Sequence, residues 1–240
     1  MKRGVIVASD QNLEWLLPWW WERYSACNAF PVVFIDFGMS LEKKIWCEER
    51  GLVIPLKEEV LEKKIPEKVY IAWKGIYGES YGQMRKVWFK KPSACLLSPF
   101  EETLWLDLDC EILDSVEPLF SYLHKEKEVA VALYAIAEAS GFVCNSGVLV
   151  FKKDSVFMQE WASRSLLESE KYWGDDYLLT AILSQEVGRV AILPDIYNWR
   201  LSEGLPMNAK IIHWCGEWGK SCIEKNGGLK KALEELKWNA

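Results

Sequence analysis

The chain has 240 residues, half of them apolar and 27% charged, an ordinary globular balance with enough length for a sizeable core. Its net charge of −6 argues against a general nucleic-acid or anionic-membrane binder, because a phosphate surface demands a basic face. No apolar run approaches the roughly 18 residues needed to span a bilayer, and after Met1-Lys2-Arg3-Gly4 the run Val5–Ala8 is too short for a signal core.

Gly4–Ala8 reads as a first strand, closed by Ser9-Asp10 and followed by a helix from about Asn12 to Ala26. That helix carries Pro18-Trp19-Trp20-Trp21, part of a Trp content of 14 that is the compositional outlier. A helix packed on a sheet, with Trp covering both of its sides, is the simpler reading; a partner or membrane-surface contact is the alternative. Pro31–Phe37 is the next strand, Leu41–Arg50 a helix and Val69–Ala72 a third strand. Tyr81–Lys90 reads as a helix, and Pro92 suits the first turn of another running to about Leu97. Thr103–Leu106 is an apolar strand, followed by a helix near Val116–His124 and the strand Val129–Leu133.

Asn145-Ser146 introduces the strand Gly147–Phe151, and helices cover Asp154–Leu167 and Asp175–Gln185. Val190–Leu193 and Lys210–His213 are late strands. Leu229–Leu236 is a short amphipathic helix whose mixed charges favour packing within the molecule over a membrane anchor. Strands alternating with helices point to an α/β fold, a mostly parallel sheet with helices on both faces. With no internal repeat or linker, residues 1–240 read as a single domain. The cysteines (Cys27, Cys47, Cys95, Cys110, Cys144, Cys215 and Cys222) are odd in number, lack a Cys-x-x-Cys spacing and read as reduced thiols of a cytoplasmic protein.

Three places carry chemistry. Asp107 and Asp109 stand at the carboxyl end of the run Thr103–Leu106, where open α/β sheets bind their ligands. Side chains at i and i+2 of an extended segment point the same way, so both carboxylates can face one hard divalent cation. Taken alone, an Asp-x-Asp is more often a turn that caps a strand. His213, one of only two histidines, ends a short strand; a neutral imidazole there would complete the site, although a lone His is more often a hydrogen-bonded residue than a ligand. Asp175 and Asp176 open a helix, whose dipole favours them, and an N-cap accounts for one of the two.

In their order along the chain these segments resemble the nucleotide-sugar glycosyltransferases of the GT-A fold, and glycosyltransferase family 8 in particular, with glycogenin and the bacterial galactosyltransferases as members. The likeness rests on Ser9-Asp10, on Lys91-Pro92 ahead of Leu104-Trp105-Leu106-Asp107-Leu108-Asp109, and on Asn145-Ser146-Gly147-Val148. Gly174-Asp175-Asp176-Tyr177-Leu178-Leu179, Tyr197-Asn198-Trp199 and Ile211-Ile212-His213-Trp214-Cys215-Gly216 complete it. The resemblance implies that Asp107, Asp109 and His213 hold Mn²⁺ or Mg²⁺, bridging the phosphates of a nucleoside-diphosphate sugar, most commonly UDP-linked. It implies donor contacts from Asp10, Lys91, Asn145, Asp175, Gly216 and Lys220, a glycan or other small acceptor, and transfer with retention. Members that build surface glycans work at the inner membrane face, which leaves peripheral contact open.

This chain departs from the pattern in two ways. Asp176 stands where the family most often has Gln, and a carboxylate there could stabilise or attack an oxocarbenium-like centre. The family's closing Lys comes one residue late, as Lys220, with Ser221-Cys222 in place of Pro-Trp. The alternative from another class is a phosphohydrolase of the haloacid dehalogenase type, with Asp107 as nucleophile, Asp109 as acid/base, and Asp175 and Asp176 on Mg²⁺. About 100 residues of α/β sequence before the Asp-x-Asp, and Glu111 where Thr or Val is expected, count against it. A sugar-nucleotide pyrophosphorylase would need a Gly-rich basic loop that Ala8-Ser9-Asp10-Gln11-Asn12-Leu13 lacks.

Overall fold

The computed structural model describes residues 2–57, 65–124, 126–133, 143–185, 187–200, 208–229 and 231. Strands are β1 (Arg3–Ser9), β2 (Val32–Asp36), β3 (Leu52–Pro55), β4 (Glu102–Leu106), β5 (Cys110–Ile112), β6 (Val129–Leu133), β7 (Cys144–Lys152), β8 (Val190–Leu193) and β9 (Ile211–His213). Helices are α1 (Leu16–Cys27), α2 (Leu41–Glu48), α3 (Glu67–Tyr77), α4 (Tyr81–Trp88), α5 (Lys91–Cys95), α6 (Val156–Glu168), α7 (Asp175–Leu183) and α8 (Gly216–Asn226).

Seven strands form one sheet in the order β3-β2-β1-β4-β7-β6-β8, and β5 pairs with β9 in a small second sheet. The pairs β1–β2, β2–β3, β1–β4 and β6–β8 are parallel, whereas β7 runs antiparallel to both neighbours. The sheet is therefore mixed and mostly parallel, as the alternation of strands and helices implied. From β1 the chain proceeds to β2 on one side and later returns to β4 on the other. The crevice beyond the carboxyl ends of β1 and β4 is thus a topological switch point, where doubly wound sheets bind ligands.

The strands alternate between two buried layers. Val5, Val7, Leu104 and Leu106 face α1, α2 and α8, with Trp20 and Tyr24 at the centre. Ile6, Val33, Ile35 and Trp105 face α5, α6 and α7, around Trp161 and Phe157. The tryptophan run is accounted for by packing. Trp20 is fully buried and stacks on Tyr24 at 4.9 Å, while Trp19 Nε1 donates to the carbonyl of Gly227 at 3.0 Å. Burying a side chain of that size is worth about 3–5 kcal/mol against alanine. All seven cysteines are free thiols.

Four expectations are corrected. Val69–Ala72 lies inside helix α3: Trp73 is buried while Ile71 is 60% exposed, a 3.6-residue rather than a two-residue period. Four apolar residues in a row cannot distinguish the two states, and Pro66 just ahead of the helix was the overlooked start signal. α1 begins at Leu16, not Asn12, because the Asp10 carboxylate accepts from the Asn12 and Leu13 amides at 3.0 Å each and makes a separate turn; Pro18 then takes a place in the first turn. Val116–His124 is a 3₁₀ helix over Glu117–Tyr122. The short strands β3 and β5 went unrecognised because four and three residues carry no periodicity. The helix expected over Leu229–Leu236 falls mostly outside the described residues. Among the described residues no helix is long and apolar enough to cross a membrane.

Candidate functional site

β4 ends at Leu106 and the chain turns at once, the Cys110 amide donating to the Asp107 carbonyl at 3.0 Å. This turn, rather than an extended segment, brings Asp107 and Asp109 together. β5 then pairs antiparallel with β9, and the register sets Cys110 opposite His213. One carboxylate oxygen each from Asp107 and Asp109 and a ring nitrogen of His213 lie within 4.8 Å of one another, the one such group among the described residues. His213 Nε2 is 3.3 Å from Asp109 Oδ1 and 3.7 Å from Asp107 Oδ2.

The imidazole is fixed from behind. Its Nδ1 lies 3.0 Å from both Asn145 Oδ1 and Asn198 Oδ1. Asn145 Oδ1 also accepts from the Gly147 amide at 2.9 Å and from Asn198 Nδ2 at 2.8 Å. This network assigns the proton to Nδ1 and turns the Nε2 lone pair towards the two carboxylates. Such an arrangement is unfavourable unless a proton or a cation stands between them. A Cβ on Gly147 would lie 2.1 Å from His213 Cε1, so glycine alone leaves room for the ring.

Charges around the group are strongly shifted. Burial opposes a charged imidazole, but Cys215 and Asp109 carry the pKa of His213 up to about 10. A divalent cation would compete with that proton for the same lone pair. Burial also opposes ionisation of Asp109, yet Lys220 and His213 hold its carboxyl well below the usual range. Lys220 Nζ is 2.5 Å from Asp109 Oδ2. Lys91, 5% exposed, donates to Asp107 Oδ2 at 3.0 Å and to Ser146 Oγ at 2.9 Å, and lies 3.6 Å from Asp175 Oδ2. Trp105 Nε1 donates to Asp107 Oδ1 at 2.7 Å.

At the start of α7 the N-cap position is Gly174, so capping accounts for neither acid, contrary to the simpler expectation. Asp175 is buried and accepts from Ser146 Oγ at 2.7 Å. Asp176 accepts from its neighbour's amide, Tyr177 N, at 2.9 Å. Burial raises both carboxyls, and the neighbouring Asp175 helps bring Asp176 to about 7.

A cavity of about 320 Å³ opens beside the group, with Asp10, Lys91, Asp107, Asp109 and Lys220 on its wall. Of the expected donor contacts, Asn145 hydrogen-bonds His213 and Asp175 lies beside Lys91. Gly216 has φ +77°, a left-handed backbone angle that favours glycine, and a methyl added to it would meet no protein atom within 4 Å. The late lysine has a steric reason. A Cβ at Gly219 would meet the Trp214 carbonyl oxygen at 2.2 Å, which leaves no room for a side chain there, and Lys220, the next residue, is on the cavity wall. Ser146, Asn198 and Trp105 were not singled out as site residues, since nothing local marks the partners they meet.

No protein-family model matches the sequence, and no curated protein does. Solved structures do match. The galactosyltransferase LgtC, in complex with donor and acceptor sugar analogs, aligns over 89% of this chain and 87% of its own at 14% identity and a TM-score of 0.66. The glycosyltransferase GlyE of Streptococcus pneumoniae TIGR4 aligns over 99% and 63%, at 16% identity and a TM-score of 0.61. Mouse xyloside xylosyltransferase 1 aligns over 89% and 97%, at 11% identity and a TM-score of 0.57. The chain has the GT-A fold. At these identities the likeness is one of fold. The phosphohydrolase alternative has no comparable support: in this GT-A frame Asp107 and Asp175 are parted by Lys91, not joined at one cation.

Proposed function

We propose that this protein is a metal-dependent glycosyltransferase that moves a sugar from a nucleoside-diphosphate sugar, UDP-linked in the first instance, to a saccharide acceptor with retention. The observation that carries the reading is the Asp107–Asp109–His213 group, opening on a cavity at the switch point of a GT-A sheet. Two carboxylates and an imidazole whose other nitrogen is hydrogen-bonded suit a small divalent cation, and the imidazole favours Mn²⁺ over the oxygen-preferring Mg²⁺. Bound there, the cation would act as a Lewis acid and neutralise charge on the departing diphosphate.

The chain's own residues have complementary tasks in this reading. Lys91 and Lys220 supply positive charge to the diphosphate. Asp10 faces the nucleoside end of the cavity, and Gly216 sets the turn that begins α8. Asn145 orients His213, while Asp175 orients Lys91. Asp176, in place of the family's Gln, would stabilise positive charge at the anomeric carbon. Trp88 lines the cavity, and an aromatic cluster runs from it through Tyr81 and Trp73 to Trp173 and Tyr177, the last two with ring centroids 5.3 Å apart. Aromatic faces of this kind favour the apolar face of a sugar ring over a charged acceptor. Free cysteines throughout accord with a reducing, cytoplasmic location.

The test is release of nucleoside diphosphate from a panel of UDP- and GDP-sugars with Mn²⁺ and then with chelator. Wild type is run beside Asp109→Ala and His213→Ala. Slow, metal-dependent hydrolysis of one donor, lost in both variants, is the expected result. Metal-dependent cleavage of simple phosphate monoesters that survives His213→Ala would refute the reading.

A further inference from the structure

The two oxygens of Asp109 face two bases. Oδ1 faces His213 Nε2 at 3.3 Å, and Oδ2 takes Lys220 Nζ at 2.5 Å. Asp107 in turn takes Lys91 at 3.0 Å. The carboxylates of Asp107, Asp109 and Asp175 therefore share the two ammonium groups of Lys91 and Lys220, leaving one net negative charge among these five side chains. A dication entering alone competes with Lys220 for the charge of Asp109 and leaves the cluster positive. A diphosphate entering alone meets carboxylates that are only partly offset. Entering together, the two bring opposite charges and free each other's partners.

The fold also provides a residue able to change sides. Lys220 lies on α8, and its side chain is 24% exposed and reaches both Asp109 and the cavity. A four-carbon stem with a compact charge can swing between two anions at little strain, unlike a bidentate arginine. Lys91, at 7% side-chain exposure and tied to Ser146 and Asp175 as well, is fixed by comparison.

We propose that Lys220 is an exchanging counter-ion: it holds Asp109 until a divalent cation takes that carboxylate, and then turns to the diphosphate. This rests on the metal-dependent reading above and extends it to the order of binding. The cation alone binds weakly, and cation and nucleoside diphosphate bind as a pair, each raising affinity for the other.

The experiment measures Mn²⁺ affinity of the full chain by the loss of free Mn²⁺ signal in electron paramagnetic resonance, with and without the nucleoside diphosphate, UDP or GDP, that the donor panel selects. Lys220→Met and Lys220→Gln remove the charge and Lys220→Arg keeps it; thermal melts confirm that each is folded. Without nucleotide, Lys220→Met and Lys220→Gln should bind Mn²⁺ about tenfold more tightly than wild type, with the coupling between Mn²⁺ and nucleotide reduced by a similar factor. Lys220→Arg, which keeps the charge and grips a carboxylate with two donors, should bind Mn²⁺ no more tightly than wild type. Equal or weaker Mn²⁺ binding by the uncharged variants overturns the exchange while leaving the metal site standing. Absence of Mn²⁺ binding in every form, with donor hydrolysis unaffected by chelator, overturns the metal reading and the exchange together.

Discussion

Gly147→Ala tests the geometry of the proposed metal group without replacing a ligand. The added methyl would lie 2.1 Å from His213 Cε1 and 2.4 Å from Nδ1. Carbon atoms rest at about 3.5–4.0 Å, so the ring must retreat by roughly 1.5 Å. Such a shift breaks the 3.0 Å contact of Nδ1 with Asn145, whose oxygen is 2.9 Å from the new methyl and cannot follow. Overpacking of this kind costs about 1–3 kcal/mol. For a chain of this length that lowers the melting temperature by roughly 2–12 °C. Loss of the orienting hydrogen bond should weaken Mn²⁺ binding by about 10–100-fold. Calorimetric titration with Mn²⁺ and thermal melts are the assays, with Gly75→Ala as control because no atom lies within 4 Å of its added methyl. A Gly147→Ala protein that melts with wild type and binds Mn²⁺ as tightly would refute the reasoning.

Asp176 provides a pH test. Its carboxyl titrates near 7 in the folded chain, raised by burial and by Asp175, and near 3.8 when unfolded. Between those values the folded state binds more protons, so this group makes stability fall as pH rises from about 4 to 7. Asp176→Asn should flatten that fall and melt higher than wild type at pH 7.5; parallel melting curves across pH 5–8 would contradict it. Tyr177→Leu should raise KM for a saccharide acceptor several-fold while donor hydrolysis is unchanged, and an equal loss of both would remove the cluster from acceptor binding. Gly219→Ala, whose methyl meets a backbone oxygen that cannot move aside, should displace the start of α8 and lower melting by several degrees; an unchanged melt would show that the helix can slide at no cost.

The sequence by itself determined which segments are strands where apolar runs are sharply bounded. Val190–Leu193 falls on its observed limits, since Arg189 and Pro194 bound it, and Val129–Leu133 begins where expected, directly after the charge of Glu128. It likewise placed both acids at the end of β4, because the switch from Leu106 to Asp107 is a local change in polarity. Where the local pattern was ambiguous, as in Val69–Ala72, packing of Trp73 decided for helix. Strand direction was not legible at all: β7 reads as an apolar run whichever way it points, and only its register against β4 and β6 makes it antiparallel. The site was legible as a set of residue types and not as a set of contacts. That His213 meets Asp109 depends on the pairing of β5 with β9, that its ring has room depends on Gly147, and that Lys220 reaches Asp109 depends on Gly219 lying against Trp214. These partners are far apart in the chain, and no local periodicity carries the distance between them; it arises only when the two small strands close and the surrounding side chains are packed.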